Sequence, residues 1–523
     1  MCLFSVFLCI FAADMRYFAY ILLMMCSHCA VAQRSLVDSV LYRAEFQATL
    51  SSGDHTPLWL NANKYGLSSL KTANGYLRGS LTRPLSADNG RKWGIGYGAD
   101  VAVAAGFTST LVVQQAYIEG RWLKGVLTVG AKEQPMELKN PELSSGSQTL
   151  GINARPVPQV RLALPNYWSI PGTRNWLALK GHIAYGKTTD DAWQKDFVSQ
   201  NNRYTEGTLF HSKAGYLKIG PKSISVELGL EMACQFGGKS YYNINSDGQR
   251  DVIENASGIK AFWHAFVPGG SGSDEVDTDY RNSEGNHLGS WVARFNIDQP
   301  AWYLGIYADH FFEDHSSMFM LGYNGYGEGK EWNVKKYNRY FLYDFKDMML
   351  GAELKLKRTP WLNAIVVEYL YTKYQCGPVY HDHSAYLNTH LVGRDDYYNH
   401  HLYTGWQHWG QVMGNPLYRS PLYNDNGSIR VTDNRFVAWH LGVSGQPAAP
   451  LHYRLLATYQ TGLGTYADPL YGCQYNLSLL AEVSWLFPHD WMLRGALAMD
   501  KGRLLGDNYG FQVSIIKSGI LAK

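Results

Sequence analysis

Charged residues are scarce in this chain of 523 residues, at 17% against the roughly 25% of an ordinary soluble domain. The charge that remains nearly balances, at +3, and no block of Lys or Arg is sustained, which excludes an electrostatic nucleic-acid binder. Cysteine is thin as well: of the seven, Cys2, Cys9, Cys26 and Cys29 lie near the start, leaving Cys234, Cys376 and Cys473. Three thiols cannot make a disulfide framework, so one bridge is the most they offer, and buried or lipid-facing thiols are the simpler expectation. Beyond residue 33 no apolar run approaches the roughly 18 residues of a membrane-spanning helix. The Gly-rich stretch Pro268–Ser273 lacks the Lys-Ser/Thr of a phosphate loop. Six of the 17 His fall between His381 and His408, yet His381 and His383 have no third ligand at a metal-binding spacing. No cofactor and no metal is expected.

Aromatic rings, in contrast, are abundant, at 14% with 37 Tyr and 16 Trp. Such amphipathic rings suit either a membrane–water boundary or a sugar-binding surface. From Met15 the sequence has Arg16, an apolar stretch to Met25, and Ala30-Val31-Ala32 as a small-x-small site, the pattern of a secretory signal peptide cleaved after Ala32. Met1–Asp14 adds a second apolar segment, so Met15 is a plausible true start. Met24-Met25 before Cys26 lack the small residues of a lipidation site.

The remainder alternates with period two. In Ser223–Phe236, Ile224, Val226, Leu228, Leu230, Met232, Cys234 and Phe236 share one face, opposite Ser225, Glu227, Gly229 and Glu231. Trp93–Val103 and Leu477–Trp485 follow the same design. Other segments begin near Val40, Tyr76, Leu111, Val126, Val160, Trp176, Leu209, Leu288, Trp302, Tyr340, Leu362, Leu402, Phe436, His452, Trp491 and Gly510. That makes about nineteen candidates, and the even number usual in bacterial barrels reduces them to eighteen. The pattern predicts an all-β fold: one closed antiparallel transmembrane β-barrel over residues 33–523, following a signal peptide over 1–32, with both ends periplasmic. A soluble β-sandwich or propeller would alternate equally well, with its apolar face turned inward. Leu123-Lys124-Gly125 and Gly220-Pro221-Lys222 read as periplasmic turns, and the long polar stretches 237–287, 314–337 and 376–401 as extracellular loops.

Six phrases resemble the capsule-assembly Wzi family in its Bacteroides-type form: Thr56–Gly66, Gly130–Leu162, Gly285–Phe295, His310–Met318, Val366–Pro378 and Asp395–Asn424. The resemblance covers nearly all of the mature chain. It implies an eighteen-stranded barrel of the cell outer membrane that helps hold capsular polysaccharide at the cell surface, acting as a lectin and not as an enzyme. Enterobacterial members also carry a helical bundle at the periplasmic mouth, whereas here a strand-like segment follows the cleavage site almost directly. Outer-membrane lipids, including lipopolysaccharide, and the barrel-assembly machinery are the further partners expected of such a chain.

Sugar recognition requires flat rings and fixed polar groups. Asp396, Tyr397, Tyr398, His400, Trp406 and Trp409 supply both, although the two Trp would equally serve as girdle anchors and the Tyr as loop packing. His310, Glu313 and Asp314 form a second cluster, more readily a hydrogen-bonded network than a catalytic one. Glu133, Glu137 and Glu142 with Lys132, Lys139, Arg155 and Arg161 suggest salt bridges that brace a lumen. No residue is assigned a catalytic role. Besides polysaccharide anchoring, two readings stay open: a channel for glycans or small solutes, and a lipid hydrolase hinted at only by His315-Ser316 and scattered acids.

Overall fold

Period-two alternation leaves one question to the tertiary structure, which is where the apolar face points. A computed structural model describes residues 38–199, 201–244, 248–268, 285–313, 318, 346–375 and 395–522. The signal peptide and the Met15 start, Asp314, His315-Ser316, the Gly-rich residues from Gly269, Cys376 and His381–His383 lie outside the described residues. In Trp93–Ala105, Trp93, Ile95, Val101 and Val103 are exposed, whereas Gly94, Gly96, Gly98 and Asp100 are buried. The apolar face is outside and the polar one inside, the reverse of a soluble sandwich and the requirement for a wall set in lipid.

Eighteen strands form that wall: β1 Val40–Ser52, β2 Ala73–Arg83, β3 Trp93–Ala105, β4 Leu111–Trp122, β5 Gly125–Ala131, β6 Gln159–Ser169, β7 Leu177–Lys187, β8 Leu209–Ile219 and β9 Ile224–Phe236, then β10 Asn286–Asp298, β11 Trp302–Glu313, β12 Met348–Leu356, β13 Ala364–Tyr371, β14 Phe436–Ala448, β15 Leu451–Gly464, β16 Pro469–Phe487, β17 Trp491–Gly502 and β18 Asn508–Ala522. Each pairs antiparallel with the next, and β1 closes on β18 from Leu41 opposite Ile520 to Ser52 opposite Tyr509. No strand edge is left facing lipid, where an unpaired backbone group has no water to turn to. Among the described residues no helix is long and apolar enough to cross a membrane.

Eighteen of the nineteen expected segments correspond to wall strands, although the strand expected near Tyr340 begins at Met348. The segment near Leu402 is not. Gly405, Trp409 and Gly410 take positive φ there, which breaks the extended backbone, and only the two-residue arms Gln407–His408 and Gln411–Val412 pair.

Exposed Trp93 and Trp122, stacked with ring centroids 5.8 Å apart, lie with Trp176, Trp485 and Trp491 at the end of the barrel where β1 begins and β18 ends. Trp439, Tyr459, Tyr475 and Tyr509 are exposed toward the other end. These are the two aromatic girdles of a membrane barrel. Turns at the terminal end are short, as Leu123-Lys124 and Gly220–Ser223 predict. The long connections 53–72, 132–158, 188–208, 237–285, 314–347 and 372–435 all leave from the opposite end.

Several of these connections fold inward and fill the lumen. Leu58, Trp59 and Leu60 of a short helix, Leu143, Tyr397, Tyr398, Trp406, Leu417 and Tyr418 form one core with the wall residues Phe311, Leu370 and Phe436. The wall supplies buried carboxylates, and the plug adds donors to those that wall residues such as Arg294, Tyr307 and Ser478 already give them. Asp309 takes Lys139 Nζ at 2.7 Å and the Gln148 N–H at 3.2 Å. Glu368 takes Ser144 Oγ at 2.5 Å and the Ser145 N–H at 2.8 Å, Glu353 takes Asn140 Nδ2 at 2.8 Å, and Asp500 takes the Leu58 N–H at 2.9 Å. A buried carboxylate stripped of such partners is strongly destabilising, so wall and plug specify one another. Of the residues expected to brace the lumen, Lys132, Glu137, Glu133 and Lys139 do form salt bridges, but with Glu119, Lys180, Arg78 and Asp309 and not with one another. Cys234 is buried and Cys473 exposed.

Two outcomes follow. Leu497, exposed near mid-height of β17, faces hydrocarbon; Leu497→Arg is expected to destabilise the barrel by about 2–4 kcal/mol in reversible unfolding from lipid vesicles. Asp433 accepts the Gly464 N–H at 2.8 Å where the last plug segment meets the wall. Burial pushes its carboxyl up to about 7, against the lowering effect of that backbone bond. Because the folded value lies above the ordinary one, its contribution to stability is complete below about pH 4 and is lost as the pH rises through about 7. Melting curves across that window are expected to show the decline, and Asp433→Asn to flatten it.

Candidate functional site

With the lumen filled, the surface left at the end with the long connections is the rim and the top of the plug. The small hairpin after Leu402 displays Trp409 there. Trp409 and Gly410 are the two central residues between the paired His408 and Gln411, with φ of 57° and 79°, the left-handed pair of a type I′ turn. Gly accepts that backbone freely; a Trp in it stores strain of order 1 kcal/mol, which such a turn retains when the side chain has a task. His408 fixes the hairpin. Its Nε2 accepts the Thr189 N–H at 3.1 Å and its Nδ1 meets the Arg155 carbonyl at 2.9 Å, which assigns the proton to Nδ1. Burial holds this imidazole below its usual pKa, consistent with the neutral ring these bonds need.

The Trp409 ring is half-buried. Its N–H groups bond Asp190 Oδ2 at 3.1 Å from the backbone and Thr189 Oγ1 at 3.2 Å from the indole. The Arg155 guanidinium lies 4.4 Å from the ring centroid and donates to Thr108 Oγ1 at 2.8 Å. Burial lowers Arg155 to about 10, so it remains a cation at neutral pH. An indole backed by a guanidinium, with carboxylate and hydroxyl groups around it, can take the C–H face of a sugar and its hydroxyl or carboxylate edge.

A second rim patch lies on the same loop. Asp396 is half-exposed and holds Arg430 at 2.8 Å and Asn434 Nδ2 at 2.6 Å. The rings of His400 and His401 lie 4.3 Å apart. The His401 carbonyl accepts from Arg203 and from the Tyr242 hydroxyl, the latter at 3.0 Å. Burial keeps both imidazoles below their usual pKa.

The remaining sequence-predicted residues have other surroundings. Tyr397, Tyr398 and Trp406 are within 1% of complete burial. Tyr397 OH donates to Asp347 at 2.9 Å, Tyr398 OH to the Gln148 carbonyl, and Trp406 Nε1 to the Thr149 carbonyl at 3.0 Å. Their rings pack the plug under the rim. His310 and Glu313 are three positions apart on β11 and so point to opposite sides of the wall. Glu313 faces the lumen and accepts the Tyr398 N–H at 2.5 Å, whereas His310 shares the outer face with its cross-strand partner Trp291. Asp396, His400 and Trp409 are thus the predicted residues that reach the rim. Thr189, Asp190, Arg203 and Tyr242 join them from connections distant in sequence, where no local motif marks them, and so does Arg155, which the sequence placed among the lumen braces.

A family model described as capsule assembly protein Wzi matches residues 60–329, just over half of the chain. Among solved structures, Wzi of Escherichia coli, described as an outer membrane protein involved in group 1 capsule assembly and a carbohydrate-binding β-barrel, matches at 12% identity with a TM-score of 0.55, over 92% of this chain and 85% of that one. OprD of Pseudomonas aeruginosa matches at 9% identity and 0.42, over 93% and 96%, and OccK2 of the same organism, solved with glucuronate, at 8% and 0.43, over 92% and 98%. No curated protein matches. The barrel, its filled lumen and the family match lead to one conclusion: the chain belongs to the Wzi capsule-assembly family and is an eighteen-stranded barrel of the outer membrane.

Proposed function

We propose that this barrel holds capsular polysaccharide at the cell surface by binding it at the outer rim, without catalysing a reaction on it. The observation that carries the reading is the Trp409 hairpin: a partly exposed indole kept in a strained turn, backed by Arg155 and ringed by Thr189 and Asp190. The printed carbohydrate binding of the Escherichia coli relative is in keeping with it. Asp396, His400 and His401 extend the surface along the same rim, and Tyr397, Tyr398 and Trp406 act through the plug that supports it. In the same reading the chain is exported by a signal peptide cleaved after Ala32, inserted by the barrel-assembly machinery and surrounded by outer-membrane lipids. A channel for glycans or small solutes is the weaker alternative, because the plug core occupies the path through the lumen.

Deleting the gene is expected to shift polysaccharide from the cell-associated to the shed fraction, and unchanged retention would sink the proposal. Trp409→Ala is expected to weaken binding of purified polysaccharide roughly 2- to 10-fold, the range of one lost aromatic contact, while the barrel still folds. In planar bilayers the purified protein is expected to stay closed; steady porin-like conductance would favour the channel.

A further inference from the structure

The described helix of the connection between β9 and β10, Ile259–Phe266, lies outside the lumen and packs on the outside of the wall. Tyr185 on β7, His211 on β8 and Cys234 on β9 are cross-strand neighbours in one row. They share the outward face with Ile183, Leu217 and Leu228, by the strict alternation of the strands. The helix covers this row with Ala261 and Ala265, both almost fully buried, and Phe262, whose ring centroid lies 5.3 Å from that of Tyr185. It also accounts for a lysine on the outer wall, since Lys213 donates to the Phe266 carbonyl at the helix C-terminal end, where a cation is favoured. Four residues below Cys234, at the level of Leu230 and Trp291, the outer wall is apolar again, and Trp291 is exposed. The helix therefore lies at the upper edge of the lipid-facing belt.

Its other side is apolar too. Ile259, Trp263 and Val267 fall on one stripe at spacings of four and are 59%, 52% and 43% exposed. In water this is an unsheltered hydrophobic patch; at the edge of a bilayer it continues the belt below it. Lys260 flanks the stripe, exposed, and among the described residues no hydrogen bond or ion pair reaches it. We infer that this helix is an interfacial anchor seated in the outer leaflet, with Ile259, Trp263 and Val267 at the acyl boundary and Lys260 on the phosphate of a phosphorylated glycolipid. The stripe and the cation match the two parts of such a lipid, its chains and its anionic headgroup. The anchor requires the outer-membrane barrel but not the sugar-binding rim.

The test uses the full chain with Cys376 and Cys473 changed to Ser and a nitroxide on Ile259→Cys, in phosphatidylethanolamine vesicles with and without lipopolysaccharide. Labels on Leu497→Cys and Tyr471→Cys give the lipid-facing and water-facing references. The label at 259 is expected to collide with oxygen more than with a nickel chelate, several-fold beyond the 471 reference. Lipopolysaccharide is expected to increase the shielding and Lys260→Glu to abolish that increase. Nickel access equal to that at 471 in lipopolysaccharide vesicles would overturn the anchor. Shielding indifferent to both lipopolysaccharide and the Lys260 charge would overturn the phosphate contact. Either failure leaves polysaccharide retention, and its dependence on Trp409, unaffected, so the two readings fail separately.

Discussion

Everything in this molecule depends on the seam between β1 and β18. A sheet surrounded by hydrocarbon cannot leave a row of N–H and C=O groups unpaired, and the pairing of Val40–Ser52 with the last strand removes the only edges it would have. Closure with antiparallel neighbours and an even strand number puts both termini at one end. It also sends every odd-to-even connection to the other end, so all six long connections share one mouth. Strand parity thus gives the barrel a working face before any side chain is considered.

An eighteen-stranded wall encloses more space than its own side chains can fill, and comparable barrels hold water there. Here the long connections occupy that space. Their entry is tied to the polar inner face: Asp309, Glu353, Glu368 and Asp500 are buried carboxylates whose hydrogen bonding the plug completes. The plug in turn supports the rim. The Trp409 hairpin is held by Arg155 and Thr189, which belong to two other connections, so the candidate sugar platform exists only when three separate loops are in place. At the same mouth the helix of the connection after β9 lies against the outer wall, because it has apolar residues on both sides and the wall next to it offers an aromatic row to cover.

The wall was legible because its rule is local. A residue two positions from a lipid-facing one is itself lipid-facing, except where a bulge intervenes, as at Gln114-Gln115 in β4, after which the outward set passes from Leu111 and Val113 to Ala116 and Ile118. The exception near Leu402 is instructive: it has the aromatic content of a strand, but glycines at 405 and 410 admit left-handed backbone and Gln407–Val412 becomes a hairpin. The same parity separates His310 from Glu313, which proximity in sequence had joined. Tyr398 and Trp406 have the residue types of a sugar platform, yet they lie in the plug core, while Arg155, Thr189 and Asp190 reach Trp409 from connections with no shared pattern.

By itself the sequence determined an all-β transmembrane barrel, its approximate strand number, the side on which its long connections lie and, through its family phrases, its kinship. These properties rest on period-two geometry and on backbone hydrogen bonding in lipid, which act over neighbouring residues. Only the tertiary structure decided that the lumen is filled, which of the aromatic residues after Asp395 face outward, and that one helix lies against the outer wall. Those outcomes depend on which buried carboxylate finds which donor and which apolar surface finds cover, and such partners are chosen across the whole length of the chain.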